Sequence, residues 1–253
     1  MILDSFRLTG KNALVTGSSR GLGAAIALAL AEAGAHVALH GSREIPIEVL
    51  QRVRATGANC VALTADLTDS DSCHGLVERT ITELGSIDIL INNAGITRRA
   101  PALEFSVEDW NDVIAMNLTS VFRLCQSAAR PMLERGYGKI VNIASLLSFQ
   151  GGITVPSYAA AKGGVAQITK ALANEWASRG VQVNAIAPGY MATELTQALQ
   201  NDATRNRQIL ERIPAGRWGS PEDMAGAAVF LSSPASDYIN GHILVVDGGW
   251  LAR

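Results

Sequence analysis

The 253-residue sequence has little of what would direct a protein to nucleic acid or to a membrane. Its 21 lysines and arginines are balanced by 23 acids, and a formal charge of −2 gives no electrostatic reason to bind nucleic acid or an anionic membrane. Aromatic residues make up only 5% of the chain, which is too few to favour a base-stacking surface. No apolar run approaches the roughly 20 residues of a membrane span. We therefore expect neither nucleic acid nor a membrane as a partner.

Cysteine and histidine are also scarce. The cysteines Cys60, Cys73 and Cys125 show no Cys-x-x-Cys spacing, so we interpret them as small core residues rather than metal ligands or disulfide halves. The four histidines form no metal-ligand pattern. The sequence therefore predicts no metal site and a reducing, cytoplasmic compartment.

The chain does contain a regular alternation of short apolar runs and longer helical segments. Runs rich in Val, Ile and Leu predict seven strands near residues 12–16, 36–39, 59–63, 87–91, 139–143, 181–186 and 243–246. Continuous apolar character is typical of strands that are covered on both faces. Strand–helix–strand repeats predict an α/β fold with a doubly wound, parallel, seven-stranded sheet and helices on both faces. The polar, irregular stretch 191–218 is interpreted as a mobile substrate lid.

A glycine-rich turn follows the first apolar run and opens an Ala-rich helix. Residues 16–23 read Thr-Gly-Ser-Ser-Arg-Gly-Leu-Gly. Glycines there let the backbone approach a pyrophosphate, whose charge then meets the amides at the helix N-terminus. The turn lies in the first crossover, where Rossmann-type sheets bind dinucleotides. The predicted cofactor contacts in this turn are Gly17, Ser19, Arg20, Gly21, Leu22 and Gly23.

Further cofactor contacts are expected where the third and fourth strands end. Asp66 follows the third strand, where it suits an adenine contact, and Leu67 lies beside it. Residues 92–95, Asn-Asn-Ala-Gly, end the fourth strand at the carboxyl edge of the sheet, where ligands bind in open α/β folds. Asn93, Ala94 and Gly95 are therefore candidate contacts. The alternative is a turn in which the asparagines cap their own backbone.

The residues that carry chemistry are Ser145, Tyr158 and Lys162. Ser145 follows the fifth strand, and Tyr158 and Lys162 are four residues apart in a helical segment, so they share a face. A tyrosine titrates at about 10, too high for a general base at neutral pH. An ammonium one turn away is expected to lower that pKa. Ser145 can donate a hydrogen bond to a reacting carbonyl oxygen. We predict hydride transfer between a nicotinamide and an alcohol or ketone carbon, with Tyr158 as the general acid or base.

Taken together, these motifs resemble the short-chain dehydrogenase/reductase family over the whole chain. The resemblance implies a single Rossmann-fold domain over residues 1–253. It implies a catalytic tetrad of Asn117, Ser145, Tyr158 and Lys162. In this tetrad, Asn117 holds a water that continues the proton relay, and Lys162 also binds the nicotinamide ribose. The family's Pro-Gly and threonine, which hold the nicotinamide carboxamide, fall on Pro188, Gly189 and Thr193 at and after the end of the sixth strand. Met191 between them is a further expected cofactor contact.

A narrower resemblance concerns the substrate. Segments 95–99, 102–106, 147–152, 184–193, 212–219 and 247–253 look like those of family members that act on keto-deoxy sugar acids of the 2-dehydro-3-deoxy-D-gluconate type. The resemblance implies an acidic sugar in hexuronate degradation. Independently, Arg98 and Arg99 follow the nicotinamide motif, where a guanidinium can bind a carboxylate in bidentate fashion, although both can also be solvated surface charges. Gln150, Ser145 and Arg217 are further candidate substrate contacts.

The end of the second strand bears on the choice between NAD and NADP. An acid there binds the ribose 2′-hydroxyl of NAD, whereas this chain reads His-Gly-Ser-Arg over residues 40–43, with no acid before Glu44. Ser42 and Arg43 suit a 2′-phosphate, and Arg20 adds a second cation. We expect an NAD(P)(H) enzyme that modestly favours NADP(H).

Several alternatives remain open at this stage. Gluconate 5-dehydrogenases and reductases of alginate-derived keto uronates share several of the same segments. A 3-oxoacyl thioester reductase has a similar glycine turn but needs a basic surface for an acidic carrier. A non-catalytic dinucleotide sensor would be expected to lack tetrad members. The family resemblance also implies a homotetramer, with the Tyr158 helix and the C-terminal segment at its interfaces.

Overall fold

All seven apolar runs form strands of one parallel sheet in the computed structural model, which describes residues 1–253. The strand ends lie within two residues of those expected: β1 (Asn12–Val15), β2 (His36–Gly41), β3 (Cys60–Thr64), β4 (Ile89–Asn92), β5 (Gly138–Ile143), β6 (Val181–Pro188) and β7 (Ile243–Val246). Their order is β3-β2-β1-β4-β5-β6-β7, and each neighbouring pair is parallel. The predicted doubly wound sheet is confirmed. Its order reverses between β1 and β4, which opens a crevice at the carboxyl edge.

The chain forms nine α-helices, six of which contribute buried residues to the cores on the two faces of the sheet. They are α1 (Gly21–Glu32), α2 (Ile47–Arg54), α3 (Ser70–Leu84), α4 (Val107–Ile114), α5 (Ser120–Arg135), α6 (Pro156–Trp176), α7 (Gln197–Asn201), α8 (Ala203–Arg212) and α9 (Ala225–Ser232). A π-helical turn, Ala115–Thr119, joins α4 to α5 without a break. None of the helices combines the length and the apolar character that spanning a bilayer requires.

Two apolar cores of similar size lie on the two faces of the sheet. One contains 25 buried residues and involves α3, α5 and α6, and the other contains 22 and involves α1, α2 and α9. Successive strand residues point to opposite faces, so Leu14 belongs to the first core and its neighbours Ala13 and Val15 to the second. Because both faces are covered, the strands are apolar throughout rather than alternating with polar residues.

The three cysteines are free and buried, as expected. Burial raises the pKa of the Cys60 and Cys73 thiols to about 11 and that of Cys125 to about 12. The thiols therefore stay protonated at neutral pH and behave as small apolar side chains.

The segment 191–218 is not irregular, which corrects the expectation from the sequence. It contains a 3-10 turn, Glu194–Thr196, followed by α7 and α8. The Asp202 carboxylate accepts hydrogen bonds from the backbone amides of Thr204 and Arg205, both at 3.0 Å, and so caps α8. Ile209 of α8 is buried in a separate small core with Leu146, Ile213 and Trp250. The segment has few apolar residues because only one side of α8 is buried.

The glycine before β6 provides a test of the packing. Gly180 has a φ of +80° and a Cβ there would lie 2.1 Å from the Gly136 carbonyl oxygen, whereas Gly57 has a φ of +89° with open space around it. We expect Gly57→Ala to cost about 1–2 kcal/mol for the left-handed backbone, and Gly180→Ala to cost clearly more because a backbone oxygen must also move. Melting temperatures from circular dichroism measure the difference. Equal shifts for the two variants would contradict the packing at Gly180.

Candidate active site

A cleft of about 930 Å³ lies at the carboxyl edge of the sheet, across the point where the strand order reverses. Its volume lies within the range of ligand pockets. Most of the residues singled out from the sequence line it: Gly17, Ser19, Arg20, Gly21, Leu22, Gly23, Ser42, Leu67, Asn93, Ala94, Gly95, Arg99, Ser145, Gln150, Tyr158, Lys162, Pro188, Gly189, Met191 and Thr193. Arg43, Asp66, Arg98, Asn117 and Arg217 are not among its lining residues.

The glycine turn is shaped by close packing against the loop after β4. A Cβ on Gly17 would lie 2.8 Å from the Ala94 Cα, and one on Gly23 would lie 2.3 Å from the Gly17 carbonyl oxygen. The Asn93 side-chain amide donates hydrogen bonds to the carbonyl oxygens of Thr16 (2.9 Å) and Gly17 (3.0 Å). Asn93 thus holds the glycine turn, and because it also lines the cleft, its expected contact with the cofactor stays a prediction. Its neighbour Asn92 is buried and donates to Asn142 Oδ1 at 2.9 Å.

The start of α1 suits a phosphate group. Arg20 occupies the N-cap position without a side-chain cap, and the first turn of the helix contains no acid. The first amides of the helix are therefore free to bind an anion, and no carboxylate in that turn repels it. Together with the glycine cradle, this site fits the pyrophosphate of a dinucleotide.

Ser145, Tyr158 and Lys162 meet in the same cleft. Tyr158 and Lys162 lie one turn apart on α6, with the Lys162 Nζ 5.7 Å from the centroid of the Tyr158 ring. The lysine side chain is buried, and its ammonium donates a hydrogen bond to the Ile143 carbonyl oxygen at 2.5 Å. The Ser145 Oγ accepts a hydrogen bond from the Leu147 amide at 3.1 Å, which leaves the hydroxyl hydrogen free to donate into the cleft.

The electrostatics of Tyr158 differ from what the sequence led us to expect. Burial raises its pKa, and the groups that lower it in part are the Ser145 hydroxyl and the charge of Arg99 rather than Lys162. Burial also lowers the pKa of Lys162 to about 8. Desolvation disfavours the ammonium form of Lys162, although a pKa of about 8 leaves it mostly protonated at neutral pH. In the protein alone, Tyr158 is therefore poised as a proton donor.

Asn117 lies fully buried in the π-helical turn between α4 and α5. Its side-chain oxygen accepts a hydrogen bond from the Ile96 amide at 2.8 Å, and its side-chain nitrogen donates to the Ile96 carbonyl at 2.7 Å. The side chain therefore fixes the loop after β4, and π-helical turns often occur at functional sites. A place for Asn117 in the proton relay stays a prediction.

Two arginines expected to contact substrate are directed elsewhere. Arg98 Nε lies 3.1 Å from Asp109 Oδ1, and its Nη2 lies 3.8 Å from Asp112 Oδ2, so two acids of α4 hold it outside the cleft. Arg217 binds both carboxylate oxygens of Asp223, at 2.6 and 2.8 Å. This contact holds the pKa of the Asp223 carboxyl well below its usual range. We correct both expectations: each guanidinium already has a carboxylate partner.

Two residues expected near the cofactor lie at the margin of the cleft. The Asp66 carboxylate accepts hydrogen bonds from the Thr68 hydroxyl (2.7 Å) and amide (2.9 Å), which lower its pKa, so its side chain closes a local turn. Leu67, next to it, does line the cleft. Arg43 is exposed one residue beyond Ser42, which is the last residue of this loop to line the cleft.

Sequence reasoning missed several residues that complete the cleft, notably Arg212 and Trp250. The Arg212 guanidinium lies 4.0 Å from the centroid of the Trp250 ring, and Gln150 Oε1 accepts hydrogen bonds from Trp250 (3.4 Å) and Arg212 (3.5 Å). Trp250 is buried in its own chain, whereas Ala252 and Arg253 are exposed, so the expected interface at the C-terminal segment stays a prediction. No local pattern marked these contacts, since they join residues up to 100 positions apart.

Comparison with known proteins gives a consistent picture. A family model described as enoyl-(acyl carrier protein) reductase matches residues 17–251. The 2-dehydro-3-deoxy-D-gluconate 5-dehydrogenase of Dickeya dadantii is 54% identical over 254 residues, which cover 100% of both chains. A structure from Agrobacterium tumefaciens with bound NADP, provisionally described as a 2-deoxy-D-gluconate 3-dehydrogenase, is 55% identical, with a TM-score of 0.92 over 98% of this chain and 99% of that one. A gluconate 5-dehydrogenase from Burkholderia cenocepacia in complex with NADP and tartrate is 42% identical, with a TM-score of 0.95 and full coverage of both chains.

The phenol at position 158 is open to a direct test. We expect Tyr158→Phe to lower the rate of ketone reduction by about 100-fold or more, because the variant has no hydroxyl to donate the proton. Cofactor affinity, followed by NADPH fluorescence, should be nearly unchanged.

Tyr137→Phe is the matched control. The Tyr137 hydroxyl is buried without a hydrogen-bond partner just before β5, at the opposite edge of the sheet. Removing it should leave turnover near the wild-type value. Normal turnover by the Tyr158 variant would contradict the assignment of the proton donor.

Proposed function

The chain belongs to the short-chain dehydrogenase/reductase family and is an NAD(P)-binding alcohol oxidoreductase, and from this premise we propose the substrate and the cofactor preference. The substrate is an acidic keto-deoxy sugar of the 2-dehydro-3-deoxy-D-gluconate type. The enzyme interconverts a ketone and a secondary alcohol on that sugar, and it prefers NADP(H).

The observation that carries the substrate proposal is that Arg99, in the cleft, has no carboxylate partner. It lines the cleft and has no carboxylate within ion-pair distance, whereas Arg98 beside it is held by Asp109. Its positive charge lowers the pKa of Tyr158, so the guanidinium acts electrostatically on the phenol. A guanidinium without a partner, a short distance from the reacting group, suits the carboxylate of a small sugar acid.

Two further polar side chains that line the cleft favour a polar substrate. Gln150 and Arg212 both line it, and Arg212 likewise forms no ion pair. The amide and the guanidinium offer hydrogen bonds to sugar hydroxyls. We propose that residues 191–218, which carry α7 and α8, act as the lid that closes over this substrate.

The chemistry follows from the residues at the centre of the cleft. A bound nicotinamide supplies or accepts the hydride. In the direction of reduction, Tyr158 donates its proton to the carbonyl oxygen as that oxygen gains negative charge, and the Ser145 hydroxyl donates a hydrogen bond to the same oxygen. In the direction of oxidation, the phenolate of Tyr158 removes the hydroxyl proton. Lys162, bound to the Ile143 carbonyl, places its ammonium next to this proton transfer.

A second candidate is a gluconate 5-dehydrogenase, or a reductase of keto uronates. The 42% identity to the Burkholderia cenocepacia enzyme over the full chain favours the gluconate activity as this second candidate. These substrates share the carboxylate that Arg99 suits. A 3-oxoacyl thioester reductase is disfavoured because cationic and polar side chains line the substrate end of the cleft. A sensor is disfavoured because all four tetrad residues are present.

The proposed preference for NADP(H) rests on the end of β2. Ser42 lines the cleft and Arg43 is exposed beside it, with no acid before Glu44 to accept from a 2′-hydroxyl. Two relatives of known structure carry bound NADP. The contribution of Arg20 is smaller than expected, because its Nε lies 3.1 Å from Glu194 Oε2 in an exposed ion pair.

We also propose a homotetramer and a cytoplasmic location. Exposed apolar side chains on α4 and α5, among them Val107, Trp110 and Phe122, support association with other copies of the chain. Three free, buried cysteines fit a reducing compartment.

A substrate panel tests the proposed function. We expect the highest kcat/KM on keto-deoxy sugar acids, lower values on keto-gluconates and keto uronates, and little turnover of 3-oxoacyl thioesters. In this panel we expect Arg99→Gln to lower kcat/KM for the sugar acid by about 10- to 100-fold, because a charge-assisted hydrogen bond is lost. The same variant should change turnover of an uncharged ketone far less.

Arg98→Gln is the matched control for Arg99→Gln. It removes the neighbouring guanidinium, which is already paired with Asp109 and Asp112. We expect its kcat/KM to stay within a few-fold of wild type. Equal losses in the two variants, or a preference of the wild-type enzyme for acyl thioesters, would overturn the proposal.

The cofactor preference has a separate test. We expect Arg43→Ala to raise the KM for NADPH by about tenfold, because the 2′-phosphate loses a cationic partner, and to change the KM for NADH little. Arg52→Ala, which removes an exposed arginine from α2, controls for net charge. Equal effects of Arg43→Ala on the two cofactors would contradict the proposed preference.

A further inference from the structure

His40, near the end of β2, connects two loops at the cofactor edge of the sheet. Its ring is almost completely buried, with 2% of the residue exposed. The Gly17 amide donates a hydrogen bond to Nδ1 at 3.2 Å, and Nε2 lies 3.2 Å from the Ala65 carbonyl oxygen. The imidazole therefore bridges the glycine turn after β1 and the loop after β3.

These two contacts determine the protonation state of the ring. A backbone amide can only donate, so Nδ1 must be the unprotonated, accepting nitrogen. A carbonyl can only accept, so Nε2 must carry the hydrogen. His40 is thus a neutral imidazole in one tautomer, and burial keeps it neutral by lowering its pKa.

The backbone of His40 binds the same turn. The Ser18 amide donates to the His40 carbonyl at 2.8 Å, and the His40 amide donates to the Ser18 hydroxyl oxygen at 2.9 Å. The Ser18 hydroxyl also donates to the His40 carbonyl at 3.4 Å, so with the ring contact to Gly17, four hydrogen bonds join His40 to two consecutive residues of the turn. On its other side, Gly17 packs so closely on Ala94 that a Cβ would not fit. The turn is therefore held from two directions.

We propose that His40 is a positioning residue for the dinucleotide site, and that protonation of its ring weakens cofactor binding. A proton on Nδ1 would replace an acceptor with a second donor facing the Gly17 amide. That amide would lose its buried partner, and two like dipoles would oppose each other. The glycine turn would then leave the shape that suits a pyrophosphate.

The charged groups of the surrounding elements do not supply a counter-ion for the protonated ring. Arg79 of α3 lowers the pKa of His40 further. The Asp66 carboxylate, after β3, already accepts a hydrogen bond from the Thr68 hydroxyl. Arg20, in the glycine turn, is paired with Glu194. Arg43, on the loop after β2, is itself a cation. Protonation is therefore confined to acid solution, below the ordinary histidine value of about 6.5.

Two substitutions separate the contacts of the ring. His40→Asn places an amide oxygen near the position of Nδ1, so it can still accept from Gly17 but cannot titrate. His40→Gln places its amide near the position of Nε2, so it can still bond to Ala65 but offers Gly17 no acceptor. We expect His40→Gln to raise the dissociation constant of NADP⁺ about tenfold at neutral pH, which corresponds to one lost hydrogen bond. His40→Asn should stay within about threefold of wild type.

The pH profile distinguishes positioning from a general loss of stability. Since binding needs the neutral ring, the affinity of the wild type is full above the folded pKa of His40 and falls as the pH drops through it. The dissociation constant of NADP⁺ should then rise as the pH falls toward about 5, by about tenfold in total, because protonation removes the same hydrogen bond that His40→Gln loses. The 2′-phosphate of NADP⁺ also titrates near pH 6. Because its titration affects wild type and His40→Asn alike, the difference between the two pH profiles reports on His40. The dissociation constant of His40→Asn should depend less steeply on pH than that of the wild type, because asparagine has no ring that titrates.

His36→Asn is the control on the same strand. His36 Nδ1 also accepts from a backbone amide, that of Asn59 at 3.1 Å, but at the amino end of β2, away from the cleft. It should leave both affinity and pH profile unchanged. The proposal is overturned if His40→Gln binds NADP⁺ as tightly as wild type, or if His40→Asn weakens in acid as much as wild type does. Binding is measured without substrate, so a wrong sugar assignment would not affect the result.

Discussion

The close packing of the glycine turn on the loop after β4 is the contact on which the rest of the site depends. It exists because the strand order reverses between β1 and β4, so that two chain segments about 75 residues apart end side by side. Gly17 and Gly23 leave room for the approach, and Asn93 and Thr16 fix it with hydrogen bonds. The same reversal opens the crevice in which a dinucleotide fits, so the fold and the cofactor site arise from one topological feature.

Burial sets the protonation of the three groups that matter most. It raises the pKa of Tyr158, lowers that of Lys162 to about 8 and lowers that of His40. In each case the pKa moves toward the uncharged form because the protein solvates charge poorly compared with water, although Lys162, with a pKa of about 8, is still mostly an ammonium at neutral pH. The cleft thus keeps its phenol as a proton donor, and a cationic partner has its largest effect where solvent is excluded. Arg99 is itself exposed, yet its charge still lowers the pKa of the buried Tyr158 in part.

The arginines around the cleft show how pairing selects function among similar residues. Arg98, Arg217 and Arg20 each have a carboxylate partner, and those contacts hold the loop after β4, the segment before α9 and the mouth of the cleft. Arg99 and Arg212 have none and line the cleft. Arg205 also lines the cleft without a carboxylate partner, but its guanidinium donates to Gln208. A guanidinium that already binds a carboxylate offers little to a second one, so Arg99 and Arg212 are better suited to an acidic substrate than the paired arginines.

The sequence by itself determined the seven strands, their doubly wound order, the glycine turn and the Ser145, Tyr158 and Lys162 group, because each depends on local periodicity or on spacing within one element. Only the tertiary structure decided which of Arg98 and Arg99 faces the cleft, that residues 191–218 form helices over a small core with Trp250, and that Asn93 and His40 hold the glycine turn. Those outcomes depend on partners that lie far away in the chain, such as Asp109 for Arg98 and Ala65 for His40. The sequence shows that such polar groups exist, but folding brings them within hydrogen-bond distance, and it is that distance which assigns each side chain its partner.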